Sequence, residues 1–432
     1  MRSVDVITMG CSKNLVDSEK LMFQLERNGF AVYHNPSRLH HDIAVVNTCG
    51  FINDAKEESI QMILQLCEAK ERGRLNKIYV IGCLSERFFK DLYREIPQVD
   101  QYYGKFNYQE LISELSGIID KDQSFRRTLT TPKHYAYVKI SEGCDRKCAY
   151  CAIPIITGRH KSLPMESIVR EVEDLVSKGV KEIQLIAQEL TYYGLDLYGK
   201  RRIAELVERI SDIKGVEWIR LHYGYPNQFP LELLKVMRER DNVCKYIDIA
   251  LQHVNDVVLS NMQRHTSKEY QRELLLQMRE EVPELCVRST FMVGFPGEGE
   301  KEFEELLEFT RWAKFDRMGA FKYSEEEGTY AALHYEDRVP EEIKEQRLSK
   351  LMAVQQDIST TLNAQKVGKT LKTIIDRKEG DFYVGRTEFD SPEVDGEVII
   401  KSEGNRLRIG DFYHIQITDS DEFDLYGKVC KL

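Results

Sequence analysis

Tyr135-Ala136-Tyr137-Val138-Lys139-Ile140-Ser141-Glu142-Gly143-Cys144-Asp145-Arg146-Lys147-Cys148-Ala149-Tyr150-Cys151 joins a strand-length apolar run to three cysteines in C-x3-C-x2-C spacing. Residues 135–140 read as a strand, and the polar, glycine-bearing segment after them reads as a loop. The same alternation recurs downstream. Candidate strands at 182–187, 217–221, 246–250, 287–292 and 318–321 are separated by helical patterns such as 165–177 and 300–313. Strands alternating with helices predict a parallel sheet covered by helices. Six such units predict an open or partial (βα)6 barrel over residues 126–365, closed by a long charged helix at 341–367. Barrels carry their reactive groups in the loops after the strands' C-terminal ends, where this cysteine loop falls.

Upstream, apolar runs at 4–9, 43–47 and 78–81 alternate with helical patterns at 15–28 and 54–72, closed by Gly29 and Gly73. This predicts an N-terminal parallel α/β domain over 1–125, ending at a linker, Lys121-Asp122-Gln123-Ser124. Downstream of residue 365 the pattern changes. Segments 371–376, 382–387, 397–400 and 413–419 alternate apolar and polar residues between Gly, Pro and Asp turns. Residues 366–432 are therefore expected to form a small antiparallel β-barrel. The whole chain reads as α/β in class.

At 432 residues the chain is too long for one core. Its 42% hydrophobic and 31% charged residues suit a soluble globular protein. No run approaches the roughly 20 apolar residues that span a bilayer, and the start, Met1-Arg2-Ser3-Val4-Asp5, lacks an apolar signal core. The expectation is a cytoplasmic protein with no membrane partner, and nothing calls for more than a monomer. In that compartment clustered cysteines suit metal binding or chemistry better than disulfides. The net charge of −10 argues against broad electrostatic binding to nucleic acid.

Three thiolates at 144, 148 and 151 can hold three irons of a four-iron, four-sulfur cluster. With no fourth cysteine nearby, one iron is left open, able to chelate the amino and carboxylate groups of S-adenosylmethionine (SAM). An electron from the cluster would then split the sulfonium to give a carbon radical, with the cofactor carrying the chemistry and the fold orienting it. A structural zinc site is the competing reading, but zinc loops pair two knuckles to complete a tetrahedron, and here the second is absent.

A second set is dispersed. Cys11, Cys49 and Cys83 each fall within a residue or two of the C-terminal end of a predicted strand, beside Gly10, Gly50 and Gly82. In a parallel sheet those ends share an edge, so the three can converge on a second cluster, with the glycines letting the backbone approach closely. Plain buried cysteines are the alternative. Cys67, Cys244, Cys286 and Cys430 show no such pattern and read as core or surface residues, and His34, His40 and His41 as a solvated loop.

These motifs resemble those of the radical-SAM methylthiotransferases over essentially the whole chain. The matching residues are Gly10-Cys11-Ser12-Lys13-Asn14-Leu15-Val16-Asp17-Ser18-Glu19, Asn47-Thr48-Cys49-Gly50-Phe51-Ile52 and Glu142-Gly143-Cys144 through Cys151-Ala152-Ile153-Pro154. Gly158-Arg159, Leu251-Gln252-His253 and Val293-Gly294-Phe295-Pro296-Gly297-Glu298 extend the match. One departure is Ser12, where a proline is common in the family. The resemblance implies an N-terminal methylthiotransferase domain, a radical-SAM barrel and a C-terminal TRAM barrel that recognises substrate. It also implies two 4Fe-4S clusters, with SAM as both methyl donor and radical source. The first cluster, on Cys11, Cys49 and Cys83, would supply the sulfur. Tyr150, Gln188 and Arg288 are the candidate SAM contacts, Gln188 for the amino group and Arg288 for the carboxylate.

One branch of this family modifies a tRNA adenosine next to the anticodon. The other modifies the β-carbon of an aspartate in small-subunit ribosomal protein S-twelve. The opening motif, the Glu142–Cys148 loop and Glu422-Phe423-Asp424-Leu425-Tyr426-Gly427 are similar to the second. Residues 366–432 hold 11 Lys and Arg against 14 Asp and Glu, a balance of −3 that suits a basic ribosomal protein better than phosphates. A sulfur donor and an electron donor such as flavodoxin or ferredoxin are the other expected partners. A non-catalytic iron–sulfur or RNA-binding protein is the rival of a different class, and it leaves the SAM-type loop unexplained.

Overall fold

The first five strands are β1 (Ser3–Thr8), β2 (Ala31–His34), β3 (His41–Thr48), β4 (Leu75–Gly82) and β5 (Gln101–Tyr102), and they form one parallel sheet in the order β2-β1-β3-β4-β5. The structure is a computed structural model describing residues 2–116, 118, 120, 123, 125–402, 404 and 406–430. Its central strands are apolar on both faces, as a parallel sheet covered on both sides requires. Val4, Val6, Val45 and Ile81 pack under the helix Ser12–Arg27 with Leu21 and Leu25. Ala44, Val46, Ile78 and Val80 pack under the helix Asn53–Glu71 with Ile63 and Leu66.

The middle segment opens with β6 (Tyr135–Lys139) and a two-stranded ribbon, β7 (Ser141–Glu142) paired with β8 (Lys161–Ser162), that brackets the cysteine loop. Then follow β9 (Glu182–Ile186), β10 (Trp218–Gly224), β11 (Val243–Gln252), β12 (Cys286–Val293) and β13 (Arg317–Lys322). With β6 they form an open six-stranded sheet in the order β13-β12-β11-β10-β9-β6, parallel throughout. Val138, Leu185, Leu221, Ile249, Val287 and Phe291 face the helices and build the largest core. Their neighbours along the strands, including Tyr137, Lys139, Gln184, Arg220, His222, Asp248 and Arg288, are mostly polar. A parallel strand buried on both faces normally reads as a continuous apolar run. Here strict alternation marks a polar inner face.

The last segment is a closed barrel of β14 (Thr370–Glu379), β15 (Phe382–Thr387), β16 (Val398–Lys401), β17 (Phe412–Ser420) and β18 (Leu425–Val429), in the order β14-β15-β16-β18-β17. It is antiparallel except for β16 and β18, which run parallel. Strand β18 was not anticipated because Gly427 interrupts its apolar pattern. That glycine is required by packing, since a Cβ there would lie 2.4 Å from Ile415 Cγ2.

The segment between β15 and β16 docks on the polar face of the six-stranded sheet. Glu393 accepts from the hydroxyls of Tyr135 (3.0 Å) and Tyr137 (3.4 Å). Asp395 accepts from Tyr246 (2.8 Å) and Arg288 (3.2 Å), and Asp390 from Arg317 (2.6 Å). Arg220 donates to the carbonyls of Glu388 (2.6 Å) and Thr387 (3.3 Å). On β15 itself, Arg386 bridges Glu182 and Asp376, each at 2.7 Å.

One expectation changes. The histidines at 34, 40 and 41 do not form a solvated loop. His34 ends β2, His41 opens β3, and the His40 ring stacks on Tyr33 at 3.6 Å while its Nδ1 meets Asp5 at 2.7 Å. Of the expected linker, Lys121, Asp122 and Ser124 lie outside the described residues.

Candidate active site

Cys11, Cys49 and Cys83 follow β1, β3 and β4, whose pairing aligns their C-terminal ends: Thr8 lies beside Asn47, and Thr48 beside Gly82. The loops after these ends are pressed together. A Cβ on Gly10 would lie 2.9 Å from Cys49 Sγ, and one on Gly82 2.5 Å from the Thr48 carbonyl oxygen. Both glycines also have positive φ (85° and 103°), a conformation other residues adopt only with strain. The glycines therefore bring the three loops together.

Asn14, which sequence reasoning passed over, ties the same loops. Its side-chain amide donates to the carbonyls of Met9 and Thr48, each at 3.0 Å, and its oxygen lies 3.7 Å from Cys83 Sγ. Asn47 in turn donates to the Asn14 carbonyl at 2.9 Å. The three thiols feel one another. Burial pushes the Cys49 thiol up and Cys11 adds to it, while burial lifts Cys83 to about 12, with Cys11 and Cys49 contributing. Cys11 differs. Its surface is exposed, yet protein surrounds it closely, as in the wall of a cleft. Burial raises its pKa, but the Lys13 ammonium and the N–H groups of Asn14 and Lys13 outweigh this and bring it below its ordinary value.

In the second set, burial lifts Cys144 to about 12 and Cys151 higher still, each further raised by Cys148. The loop carries its own cations. Arg264, only 2% exposed, points its guanidinium at Cys148 Sγ (3.5 Å) and the Tyr150 hydroxyl (3.4 Å) and stacks on Tyr225 (4.0 Å). Arg146 lies between the rings of Tyr192 (4.1 Å) and Tyr225 (3.9 Å), 3.4 Å from Glu189. Neither Arg264 nor Glu189 belongs to a sequence motif that could have flagged it. Only the fold brings them to the cysteines.

Among the described residues no three His, Cys, Asp or Glu side chains close to the spacing of a single metal ion. The fit to iron–sulfur clusters rests on the donor set. Each loop system collects three soft ligands, and the thiols that burial lifts, Cys49, Cys83, Cys144 and Cys151, need a metal cation to replace their protons.

The two cysteine systems meet. Cys83 is buried in one small cluster with Ala152 and Ile156, which directly follow the second set. Around this contact Lys139 is ion-paired to Asp17 and Glu142, and Lys105 Nζ lies 3.0 Å from Glu142. Burial opposes the charge on Glu142, but Lys139 and Lys105 outweigh it and hold it at about 2.

The other candidate residues are placed as follows. Tyr150 lies in the second set, against Arg264 and 6.3 Å from the Phe295 ring. Gln188 is half-buried just beyond β9. Arg288 is not brought to the cysteine loop. It pairs with Asp248 (3.5 Å) and Asp395 (3.2 Å). One carboxylate of the sheet, Asp248, and one from the segment between β15 and β16, Asp395, claim Arg288, and Arg264 occupies the cationic position beside the cysteines. The 293–298 turn is structural: Glu298 accepts from the Gly294 N–H (2.9 Å) and Arg347 (2.8 Å) and faces His253 (3.2 Å).

An open parallel six-stranded sheet with a C-x3-C-x2-C loop after its first strand defines a radical SAM enzyme. Residues 138–310 match the radical SAM superfamily, residues 367–430 the TRAM domain, and residues 3–104 a family described as uncharacterized protein family UPF0004. The chain belongs to the ribosomal protein uS12 methylthiotransferase family, RimO. It is 63% identical over 99% of both chains to the uS12 methylthiotransferase RimO of Bacteroides fragilis. The RimO of Porphyromonas gingivalis is 58% identical, and that of Cytophaga hutchinsonii 48%, each over 99% of this chain and 98% of the relative. Among solved structures, the radical SAM methyltransferase TsrM from Kitasatospora setae superposes with a TM-score of 0.55 at 14% identity, covering 74% of this chain and 72% of that one. At that identity the likeness bears on the fold alone.

Proposed function

We propose that this chain transfers a methylthio group to the β-carbon of an aspartate in ribosomal protein uS12. The observation that carries the reading is the meeting of the two cysteine systems, with Cys83 packed against Ala152. A donor and an activating centre must both reach one substrate carbon, and here they adjoin. The full-length similarity to uS12 methylthiotransferases and the acidic last segment support the same reading.

In this reading Cys11, Cys49 and Cys83 hold one 4Fe-4S cluster, and Cys144, Cys148 and Cys151 hold the other. When bound, the second with SAM supplies a carbon radical able to take hydrogen from an unactivated C–H bond, and the first carries the sulfur to be transferred. That chemistry is needed because an aspartate β-carbon is too weakly acidic for a side-chain base, whose contribution is about 10²–10⁴-fold. The protein does the rest. Asn14 holds the first three loops in register. Arg264 and Tyr150 orient groups beside Cys148, with Gln188 at the rim. The Lys139, Asp17, Glu142 and Lys105 network locks the two systems at fixed separation and keeps water from the space between them. Segments 1–125, 126–365 and 366–432 serve as sulfur-donating, radical-generating and recognition units of a cytoplasmic monomer, fed by external sulfur and electron donors.

The test is an anaerobic assay of the reconstituted enzyme with SAM, sulfide and a reductant, offered uS12 and bulk tRNA side by side and read by mass spectrometry. A methylthio gain on a uS12 aspartate with unchanged tRNA is expected. A gain on tRNA adenosine instead overturns the substrate assignment, and no gain on either overturns the activity.

A further inference from the structure

Lys13 lies two residues after Cys11, at the start of the helix Ser12–Arg27, and its side chain crosses to the middle segment. Its Nζ sits 3.4 Å from the centroid of the Tyr223 ring, at the C-terminal end of β10. The residue is only 6% exposed. Among the described residues it makes no hydrogen bond and no ion pair. The Cys11 thiol and Asp248 both feel its charge, but neither forms an ion pair with it, and a nearly buried ammonium seated on an aromatic face without an ion-paired carboxylate is unusual, because cations removed from water are normally paired. On the polar face Asp248 is already engaged by Arg288 (3.5 Å) and by the Tyr223 N–H (3.4 Å). The other cations at this junction, Lys105 and Lys139, are both paired to carboxylates. The Lys13 ammonium therefore stands open between the first cysteine system and the inner face of the sheet. Tyr223 holds it there from a strained backbone position (φ 65°), of the kind that clusters at functional sites.

We infer that Lys13 is the carboxylate-binding residue for the reacting aspartate, fixing that side chain by its charged end so that its β-carbon faces the two cysteine systems. The inference rests on the aspartate reading above and deepens it. A carboxylate is the ligand a lone cation on an aromatic seat accepts, and it lies one bond from the carbon to be modified. Specificity follows: asparagine, nearly the same in shape, offers no charge to the ammonium.

The test compares binding of uS12 and of uS12 whose reacting aspartate is replaced by asparagine to the reconstituted enzyme, by titration calorimetry, for wild type, Lys13→Gln and Lys13→Arg. Wild type is expected to favour the aspartate form by about 10- to 100-fold, the range of a charge-assisted hydrogen bond. Lys13→Gln should bind both forms alike, and Lys13→Arg, which keeps the charge, should restore part of the preference. If Lys13→Gln leaves the preference untouched or abolishes binding of both forms equally, Lys13 is no carboxylate receptor; should Lys13→Gln fail to fold, Lys13→Met, which also removes the charge, is judged by the same outcomes. If wild type binds neither form, the uS12 reading itself falls, and this inference with it.

Discussion

Cys83, the third cysteine of the first system, is buried in the same small cluster as Ala152, the residue that follows the last cysteine of the second. The first system thus packs directly against the residue that follows the second.

Replacing Cys144 by Ala removes one thiol of the set proposed to hold the radical-generating cluster. We expect 5′-deoxyadenosine formation from SAM to fall to background. Replacing Cys49 by Ala should leave uncoupled SAM cleavage measurable while no methylthiolated product forms. Chromatography of the nucleoside and mass spectrometry of uS12 read the two outcomes, and product from the Cys49 variant contradicts the two-site arrangement.

Arg264→Leu removes the guanidinium from Cys148 and Tyr150. Loss of an outer partner of a metal ligand typically lowers activity or affinity by about 10–100-fold. SAM cleavage should fall by that factor with iron content nearly unchanged. An Arg288→Leu variant should instead act through the docking of the last segment, lowering the melting temperature more than SAM affinity.

Asn14→Leu leaves the carbonyls of Met9 and Thr48 without their donor. Each buried group left unsatisfied costs about 1–3 kcal/mol. Because both flank cysteine loops, we expect iron bound on reconstitution to drop by about half as the first system fails to assemble. Electron paramagnetic resonance of the reduced protein would show whether the second system survives.

Arg386→Ala takes the shared guanidinium from Glu182 and Asp376 at the junction of the last two segments, leaving them only Arg220 (3.1 Å) and His134 (2.7 Å). Breaking a buried pair in this way costs about 3–5 kcal/mol, read as a lowered midpoint in thermal or urea unfolding. The junction also sets an acid limit. Burial raises the Asp376 and Glu182 carboxyls, but Arg386, with Arg220 beside Glu182, outweighs this and holds both below their usual range. Groups depressed in the folded state stabilise it fully above their ordinary pKa, near about 4, and this is lost as pH falls through the depressed folded values. Melting temperature of the iron-free protein should be flat from pH 7 to about 5 and fall steeply below about 4. The fall should be shallower in Arg386→Ala, and equal slopes in the two proteins count against this account.

Much of the architecture was readable because apolar runs of strand length recur between helical patterns, and because cysteines sit where parallel strands end. Residues 165–177 and 300–313 match the helices Met165–Ser177 and Glu300–Ala313. Less readable was whatever depends on a neighbour far along the chain. β5 has two residues and exists only by pairing with β4. Asn14, Lys13 and Arg264 are ordinary polar residues until the fold supplies a carbonyl, a ring or a thiol beside them. Arg288 shows the opposite error. Its strand was found, but a strand assignment does not say which carboxylate waits across the sheet, and Asp395 comes from a segment more than a hundred residues away.

The carboxylates and carbonyls between β15 and β16 give the final barrel a role beyond contacting a partner. Arg220, Arg288 and Arg317 line the sheet's inner face, and all three donate to that one stretch of chain, Arg288 and Arg317 to its carboxylates and Arg220 to its carbonyls. The barrel is thus the counter-charge of the catalytic sheet, and the two are not interchangeable parts. A chimera that borrows a barrel of different specificity leaves Arg317 without its carboxylate and strips Arg220 and Arg288 of their partners in that stretch, so that they keep only Glu182 and Asp248, unless it also carries anions at 390 and 395 and the 387–388 backbone turn. Retargeting such an enzyme is therefore a matter of recutting the barrel's outward strands while keeping its inward stretch intact.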